Sequence, residues 1–278
     1  MAENPVSNDR YAVVGNPVAH SLSPRIHVSF AEQTQQPMSY KAIELAIDNF
    51  PLELLELQRQ GLKGANVTVP FKQQAWKICS HRSPRAEQAG AVNTLSFMDN
   101  GDICGDNTDG TGLTRDLQDN HEIPIQHKKI LILGAGGAVR GVLAPLLALK
   151  PDSILIANRT LKKAEKLAAE ISATGTIYTC SYDDLGADKF DLIINATAAG
   201  LSNQVPPLSE KAIGSSTICY DMMYQLDSPT AFVTWARDRG AARAIDGLGM
   251  LVEQAAESFY IWRGVRVDTT EVINNLRH

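Results

Sequence analysis

No stretch of this chain stays apolar for the about 20 residues that a membrane-spanning helix needs, and no block concentrates lysine and arginine. The first absence leaves no spanning helix and no membrane partner to expect. The second, with a formal net charge of −5 over 278 residues, argues against a general nucleic-acid surface. Cysteine is scarce: Cys79, Cys104, Cys180 and Cys219 are scattered, with no Cys-x-x-Cys pair. Neither a zinc site nor a disulfide framework is suggested, and a reduced, intracellular protein fits. The six histidines have no metal-ligand spacing. The opening residues Met1-Ala2-Glu3-Asn4-Pro5 are polar and lack a signal-peptide core, so a cytoplasmic location is expected. There is no internal repeat and no low-complexity segment. A composition 44% apolar and 21% charged marks a globular protein, and the length allows two domains.

The most informative stretch that is present runs Ile130-Leu131-Ile132-Leu133-Gly134-Ala135-Gly136-Gly137-Ala138. An apolar strand ends in glycines, and a helical pattern follows from Val139. A dinucleotide pyrophosphate needs that order. The first glycine makes the tight turn, the second lets backbone approach phosphate, and the helix N-terminus offers unpaired N–H groups. The third glycine of the usual spacing is missing, and tight turns also serve packing alone.

The next strand-like run, Ser153-Ile154-Leu155-Ile156-Ala157, ends where an NAD-binding unit carries an acid for the ribose 2′-hydroxyl. Here it runs into Asn158-Arg159-Thr160, with Lys162 and Lys163 beyond. No carboxylate repels a 2′-phosphate, and a guanidinium is present to pair with one. The local chemistry therefore favours NADP(H) over NAD(H). The structural alternative makes Arg159 a solvated loop residue and Thr160 an N-cap for a helix over 161–171.

Periodicity predicts an α/β fold in two domains. In the first, strands are expected over 11–15, 40–45 and 64–69. Helices are expected over 24–33 (Ser23 as cap, Pro24 at the first helical position), 50–60 and 71–79. A hairpin should join 91–98 to 101–104. Such alternation implies a mostly parallel sheet with helices on its faces. A polar segment, 116–129, precedes the Rossmann-like unit. Later strands are expected over 176–180, 192–195, 217–221 and 242–245, with a helix over 229–239. Helices over 250–261 and 270–276 close the chain. The domains read as 1–109, 110–246 and a C-terminal pair of helices, 247–278.

Four polar islands interrupt the first domain at strand ends, where sites collect in parallel sheets. They are His20-Ser21-Leu22-Ser23-Pro24, Asn66-Val67-Thr68-Val69-Pro70-Phe71-Lys72, Gly90-Ala91-Val92-Asn93-Thr94 and Gly105-Asp106-Asn107-Thr108-Asp109-Gly110. Their hydroxyls, amides, amine and carboxylates suit a small, polyhydroxylated, anionic substrate. Each island alone also reads as caps and turns: Ser21 and Ser23 as caps, Asn93 and Asn107 as turn formers, Asp109 as an N-cap.

These islands resemble the signatures of the shikimate dehydrogenase family. So do the glycine loop, Asn158-Arg159-Thr160, Asn195-Ala196-Thr197, Tyr220-Asp221-Met222-Met223-Tyr224, Asp246-Gly247-Leu248-Gly249-Met250-Leu251 and Gln254-Ala255-Ala256. The resemblance covers nearly the whole chain in order. It implies reversible NADPH-dependent reduction of 3-dehydroshikimate to shikimate, on the route to chorismate and the aromatic amino acids. It also implies C-terminal helices returning to the first domain and a substrate cleft between the domains. Position by position, it makes Lys72 and Asp109 the catalytic pair. Ser21 and Ser23 would bind the substrate carboxylate, with Asn66, Thr68, Asn93, Tyr224 and Gln254 as further substrate contacts. Gly134, Ala135, Gly136, Gly137 and Ala138 would hold pyrophosphate. Asn158, Arg159, Thr160, Leu161, Lys162 and Lys163 would surround the 2′-phosphate. Thr197 joins the cofactor set, and Met222, Gly247 and Met250 would line the nicotinamide pocket. Two positions depart from the family pattern: Val28 where an Asn is common, and Pro84 in a segment where an acid is common.

Ketone reduction needs a hydride donor and a proton donor for the growing alkoxide. Lys72 as ammonium can give the proton, and Asp109 can hold the amine; which of the two transfers it stays open. Two other readings stay open as well: a quinate/shikimate dehydrogenase that also uses NAD, and a catalytically silent NADP(H)-sensing module. The expected partner is a small molecule, and a monomer or a homodimer is compatible with the sequence. Glycines at 110–112 and 247–249 are candidate hinges.

Overall fold

Both faces of the first strand are apolar because both are covered. Strand β1 (Asp9–Gly15) sends Ala12 and Val14 into one cluster with Phe50, Leu54, Phe71 and Leu95, and Tyr11 and Val13 into another with Val18 and Tyr40. After it come α1 (Ser23–Thr34), β2 (Met38–Glu44), α2 (Phe50–Arg59), β3 (Leu62–Val67), α3 (Lys72–Ile78), β4 (His81–Arg82), α4 (Pro84–Ala89), β5 (Thr94–Phe97) and β6 (Ile103–Asp106). The strands form one sheet in the order β2-β1-β3-β5-β6-β4. β1 is parallel to β2 and β3, and β4 to β6, whereas β5 is antiparallel to both neighbours. The chain divides into two units: Met1–Thr108 with Val252–Asn275, and Asp109–Leu251 with Leu276–His278. The computed structural model describes residues 8–171, 176–186, 188–197 and 204–277.

The second unit opens on α5 (Asp109–Arg115). Then follow β7 (Lys129–Leu133), α6 (Gly137–Ala148), β8 (Ser153–Ala157), α7 (Leu161–Glu170), β9 (Ile177–Cys180), β10 (Leu192–Asn195), β11 (Ile218–Asp221), α8 (Ala231–Asp238) and β12 (Arg243–Ile245). All six strands are parallel, in the order β12-β11-β10-β7-β8-β9. The winding reverses between β7 and β10, and crevices at such a point bind ligands in open α/β sheets. The glycine turn lies just past β7, at that crevice.

Helix α9 (Leu248–Arg263) starts in the second unit and passes into the first at Val252; α10 (Thr269–Arg277) follows. Within the first unit, Trp262 of α9 stacks on Tyr11, centroids 4.7 Å apart, and its indole N–H donates to the Leu95 carbonyl at 3.0 Å. Among the described residues, no helix is long and apolar enough to cross a membrane.

Several local expectations change. Ser23 does not cap α1; Leu22 is the cap residue, and the Ser23 backbone N–H donates to Ser21 Oγ at 3.3 Å. The strand expected over 91–98 begins only at Thr94, because the backbone N–H of Val92 is taken by the Lys72 carbonyl at 2.9 Å. The segment read as polar, 116–129, is part of the core. α5 continues as a π-helical turn, Asp116–Asn120, and Leu117, Ile123 and Ile125 are buried. Gly110 of α5 has a packing role: a Cβ there would overlap Pro145 and the Gly141 carbonyl of α6. Pro145 has no N–H to give that carbonyl, so the close approach takes a space that a regular helix would not leave.

Candidate active site

In the first unit the islands meet at two buried asparagines. Asn66 lies one residue from the end of β3, opposite Thr94 of β5, and is 6% exposed. Its Oδ1 accepts from Tyr40 Oη at 2.7 Å and from His27 Nε2 at 3.1 Å. Its Nδ2 faces the Asn93 carbonyl at 3.1 Å and Ser258 Oγ at 3.0 Å. Asn93, 2% exposed, accepts at Oδ1 from the Thr108 N–H (2.9 Å) and Thr94 Oγ1 (2.8 Å). Its Nδ2 donates to Thr108 Oγ1 at 2.9 Å and to Gln254 Oε1 at 3.2 Å. Ser258 Oγ closes the cluster by donating to the Gln254 carbonyl at 3.0 Å. Low dielectric strengthens the hydrogen bonds of such a network.

Ser21 and Ser23 join the same network. Ser21 Oγ donates to Ser23 Oγ at 3.2 Å, and Ser23 is bonded to the Tyr40 phenol. Burial pushes that phenol well above its ordinary pKa. Burial also drives His27 down to about 3, so its ring is neutral; Nε2 carries the hydrogen because Asn66 Oδ1 only accepts. Lys72 is the first residue of α3, half-buried, with its carbonyl tied to Val92. Thr68 is half-buried, and its carbonyl accepts from the Phe71 N–H at 3.0 Å. One hydrogen-bond network joins Ser21, Ser23, Asn66, Asn93 and Gln254, which the sequence offers as substrate contacts. His27, Tyr40 and Ser258 belong to the same network, and the sequence does not single them out. A serine at an apolar helix position, i+4 from Gln254, was the only available signal for the last.

In the second unit the glycine turn has the expected division of labour. Gly134 sits at φ +105°, a left-handed conformation that favours glycine, with Thr197 Cγ2 3.2 Å from where a Cβ would be. Gly136 precedes α6, and at Gly136 and Gly137 a Cβ would meet nothing within 4 Å. Residues 136–138 are exposed and 135 half-buried. Open backbone at the N-terminus of a 12-residue helix fits a pyrophosphate.

Beyond β8, Asn158 Nδ2 donates to the Thr160 carbonyl at 2.8 Å and shapes the turn into α7. Leu161 begins α7 and is half-buried. Thr160 precedes the helix, but its hydroxyl makes no capping bond. Arg159, Lys162 and Lys163 are exposed around it, while Arg140 is engaged by Glu170 at 2.5 Å. Three exposed cations without a carboxylate among residues 158–163 fit a phosphomonoester.

Past β11, Asp221 is buried and fully partnered. Asn195 Nδ2 (3.0 Å) and the Met223 N–H (3.1 Å) donate to Oδ1, and Thr230 Oγ1 (2.6 Å) to Oδ2. Burial raises its pKa against those bonds. The backbone of Gly247 presses on Met222, whose carbonyl oxygen lies 2.5 Å from a Cβ position at 247. Met222 and Tyr224 are half-buried; Met250 is buried. Asp109, the first residue of α5, is buried as well. Of the two departures, Val28 is exposed on α1, and Pro84 opens α4, which Ser83 Oγ caps by accepting from the Ala86 N–H at 3.2 Å.

A parallel doubly wound sheet with an anion-receptive glycine turn in the second unit, and a buried polar network in the first, fit a nucleotide-linked oxidoreductase class. Family comparison is more specific. The shikimate dehydrogenase substrate binding domain matches residues 13–95, shikimate / quinate 5-dehydrogenase matches 117–205, and the shikimate 5′-dehydrogenase C-terminal domain matches 247–277. The chain belongs to the shikimate dehydrogenase family. It is 55% identical to a shikimate dehydrogenase (NADP(+)) of Hahella chejuensis, over 97% of this chain and 98% of that one. The crystal structure of an Ael1 enzyme from Pseudomonas putida superposes with a TM-score of 0.92 at 44% identity, covering 98% of this chain and 99% of the other. Shikimate 5-dehydrogenase from Thermus thermophilus, in complex with NADP(H) and shikimate, gives 0.85 at 31% identity, covering 97% and 98%.

Proposed function

We propose that this protein catalyses the reversible NADPH-dependent reduction of 3-dehydroshikimate to shikimate, on the route to chorismate and the aromatic amino acids. The observation that carries the reading is the glycine turn at the sheet's switch point beside Arg159, in a chain 55% identical to an NADP(+)-dependent relative. NADPH, when bound, supplies the hydride. Lys72 donates a proton to the ketone oxygen as negative charge grows on it, and accepts one in the reverse direction. Asp109 serves as the second catalytic residue and orders the reacting hydroxyl. Ser21 and Ser23 take the substrate carboxylate. Thr68, Asn93, Tyr224 and Gln254 take the ring hydroxyls.

Asn66 acts through its neighbours, since both polar atoms of its amide are spent on protein groups. The residues of the 134–138 turn hold pyrophosphate, those of 158–163 the 2′-phosphate, and Thr197 supports Gly134. Met222, Gly247 and Met250 face the nicotinamide. By function the chain divides as a substrate domain, 1–109, a cofactor domain, 110–246, and C-terminal helices, 247–278, that belong with the substrate domain. The contacts of Ser258 and Trp262 within the first unit support that assignment for Val252–Asn275, while Leu248–Leu251 and Leu276–His278 fall in the second unit.

The test is a spectrophotometric assay of the purified protein with shikimate and NADP⁺, with quinate and NAD⁺ in parallel. Reduced nicotinamide should accumulate fastest with shikimate and NADP⁺. No turnover with any pair would refute the reading, and faster turnover with quinate or NAD⁺ would replace it.

A further inference from the structure

Below the start of α9 lies a buried acid that the proposed chemistry does not use. Asp116 and Tyr220 are both 0% exposed. Tyr220 Oη donates to Asp116 Oδ2 at 2.6 Å, and the Met250 backbone N–H donates to the same phenol oxygen. Asp116 Oδ1 accepts from Asn120 Nδ2 at 2.9 Å and lies 3.6 Å from His121 Nε2. The carboxylate also rests on the Cα of Gly249, so closely that any side chain there would overlap it. Asp246 Oδ1 takes the Leu248 N–H at 3.1 Å, and Arg277 grips Asp246 from behind at 2.8 and 3.1 Å. All these groups belong to the second unit.

A helix leaves its first N–H groups without helical partners, and they attract negative charge. In the first turn of α9 the Leu248 N–H goes to the Asp246 carboxylate and the Met250 N–H to the Tyr220 phenol, which donates in turn to Asp116. We infer that Tyr220 and Asp116 are positioning residues: they fix the first turn of α9 and thereby the Met222–Gly247–Met250 edge offered to the nicotinamide. The inference rests on the proposed NADP(H) reading. Three fixed points fall on three consecutive residues. Leu248 is held by Asp246, Gly249 abuts Asp116 with no side chain between, and Met250 hangs on Tyr220. Hydride transfer depends steeply on donor–acceptor geometry, so a small shift of Met250 is felt in turnover.

Tyr220→Phe tests this. It removes one hydroxyl, leaves the packed ring, and touches neither the glycine turn nor Arg159. NADP⁺ is compared with 2′,5′-ADP, which carries the adenosine and 2′-phosphate but no nicotinamide. NADP⁺ affinity should fall about three- to tenfold, the scale of one hydrogen bond. Affinity for 2′,5′-ADP and the KM for shikimate should stay within about twofold. The isotope effect with 4-deuterated NADPH should rise. If NADP⁺ and 2′,5′-ADP weaken in parallel, or neither changes, the pair is merely structural and the inference falls. Wild-type protein that binds neither ligand would overturn the cofactor reading itself. Asp116→Asn is read by the same criteria if Tyr220→Phe does not fold.

Discussion

The ring of His27 lies flat on the ring of Tyr40, centroids 4.2 Å apart and planes 7° from parallel, and both donate to one oxygen, Asn66 Oδ1. The stack keeps the imidazole among Phe30, Phe259 and Trp262, where charge is opposed. Its other nitrogen, Nδ1, is buried with no hydrogen-bond partner.

That arrangement makes His27 an acid-labile element. Its folded pKa, about 3, lies below the unfolded value of 6.5. The unfolded state therefore binds more protons between those values, and stability is lost as pH falls from 6.5 towards 3. The slope approaches about 1.4 kcal/mol per pH unit from this group. Urea unfolding from pH 7 to 4 should show a shallower decline for His27→Phe than for the native chain. Equal declines would mean that His27 titrates normally.

Lys72→Ala should lower turnover by about two to four orders of magnitude, the scale of a lost general acid–base group. Shikimate binding, measured by calorimetry, should change much less. Near-normal turnover would remove Lys72 from the mechanism.

Arg159→Ala should weaken NADP⁺ by roughly ten- to a hundredfold, the loss of a charge-assisted bond, and leave NAD⁺ nearly unchanged. Equal weakening of both, read by fluorescence titration, would make Arg159 a structural or adenine-stacking residue.

Two glycine substitutions should separate binding from folding. At Gly137 a methyl group meets open space. Gly137→Ala should therefore melt like the native protein yet bind NADP⁺ on the order of tenfold more weakly, because the methyl enters the phosphate's place. At Gly249 the methyl falls on the Asp116 carboxylate. Gly249→Ala should cost about 1–3 kcal/mol or more of stability, as overpacking does. A thermal melt of each variant, with a cofactor titration, checks both.

Much of this was legible because chemistry and periodicity coincide. The apolar run 130–133 ending in Gly134 marked both a strand and the tight turn after it, and the later parallel strands alternate with helices as the sheet requires. Legibility failed where polar residues are buried. Asp116 reads as solvent-facing, yet its partners Tyr220 and Gly249 lie about a hundred positions away and more, invisible to any local pattern. Ser23 reads as a cap because small hydroxyls usually cap, but here the hydroxyl is drawn to Ser21 and Tyr40. Asn66 looks like a substrate ligand in sequence, and only the folded chain reveals that its amide is committed to the protein interior.

The passage of α9 from one unit to the other bears on how the chain is made. The first unit lacks Gln254, Ser258 and Trp262 until those residues leave the ribosome, and the second lacks the Arg277 grip on Asp246. Domains made in sequence commonly fold in sequence, the earlier finishing first. The first unit lacks parts until residue 275 has been synthesised and the second until residue 277, so neither can complete its contacts well before the other.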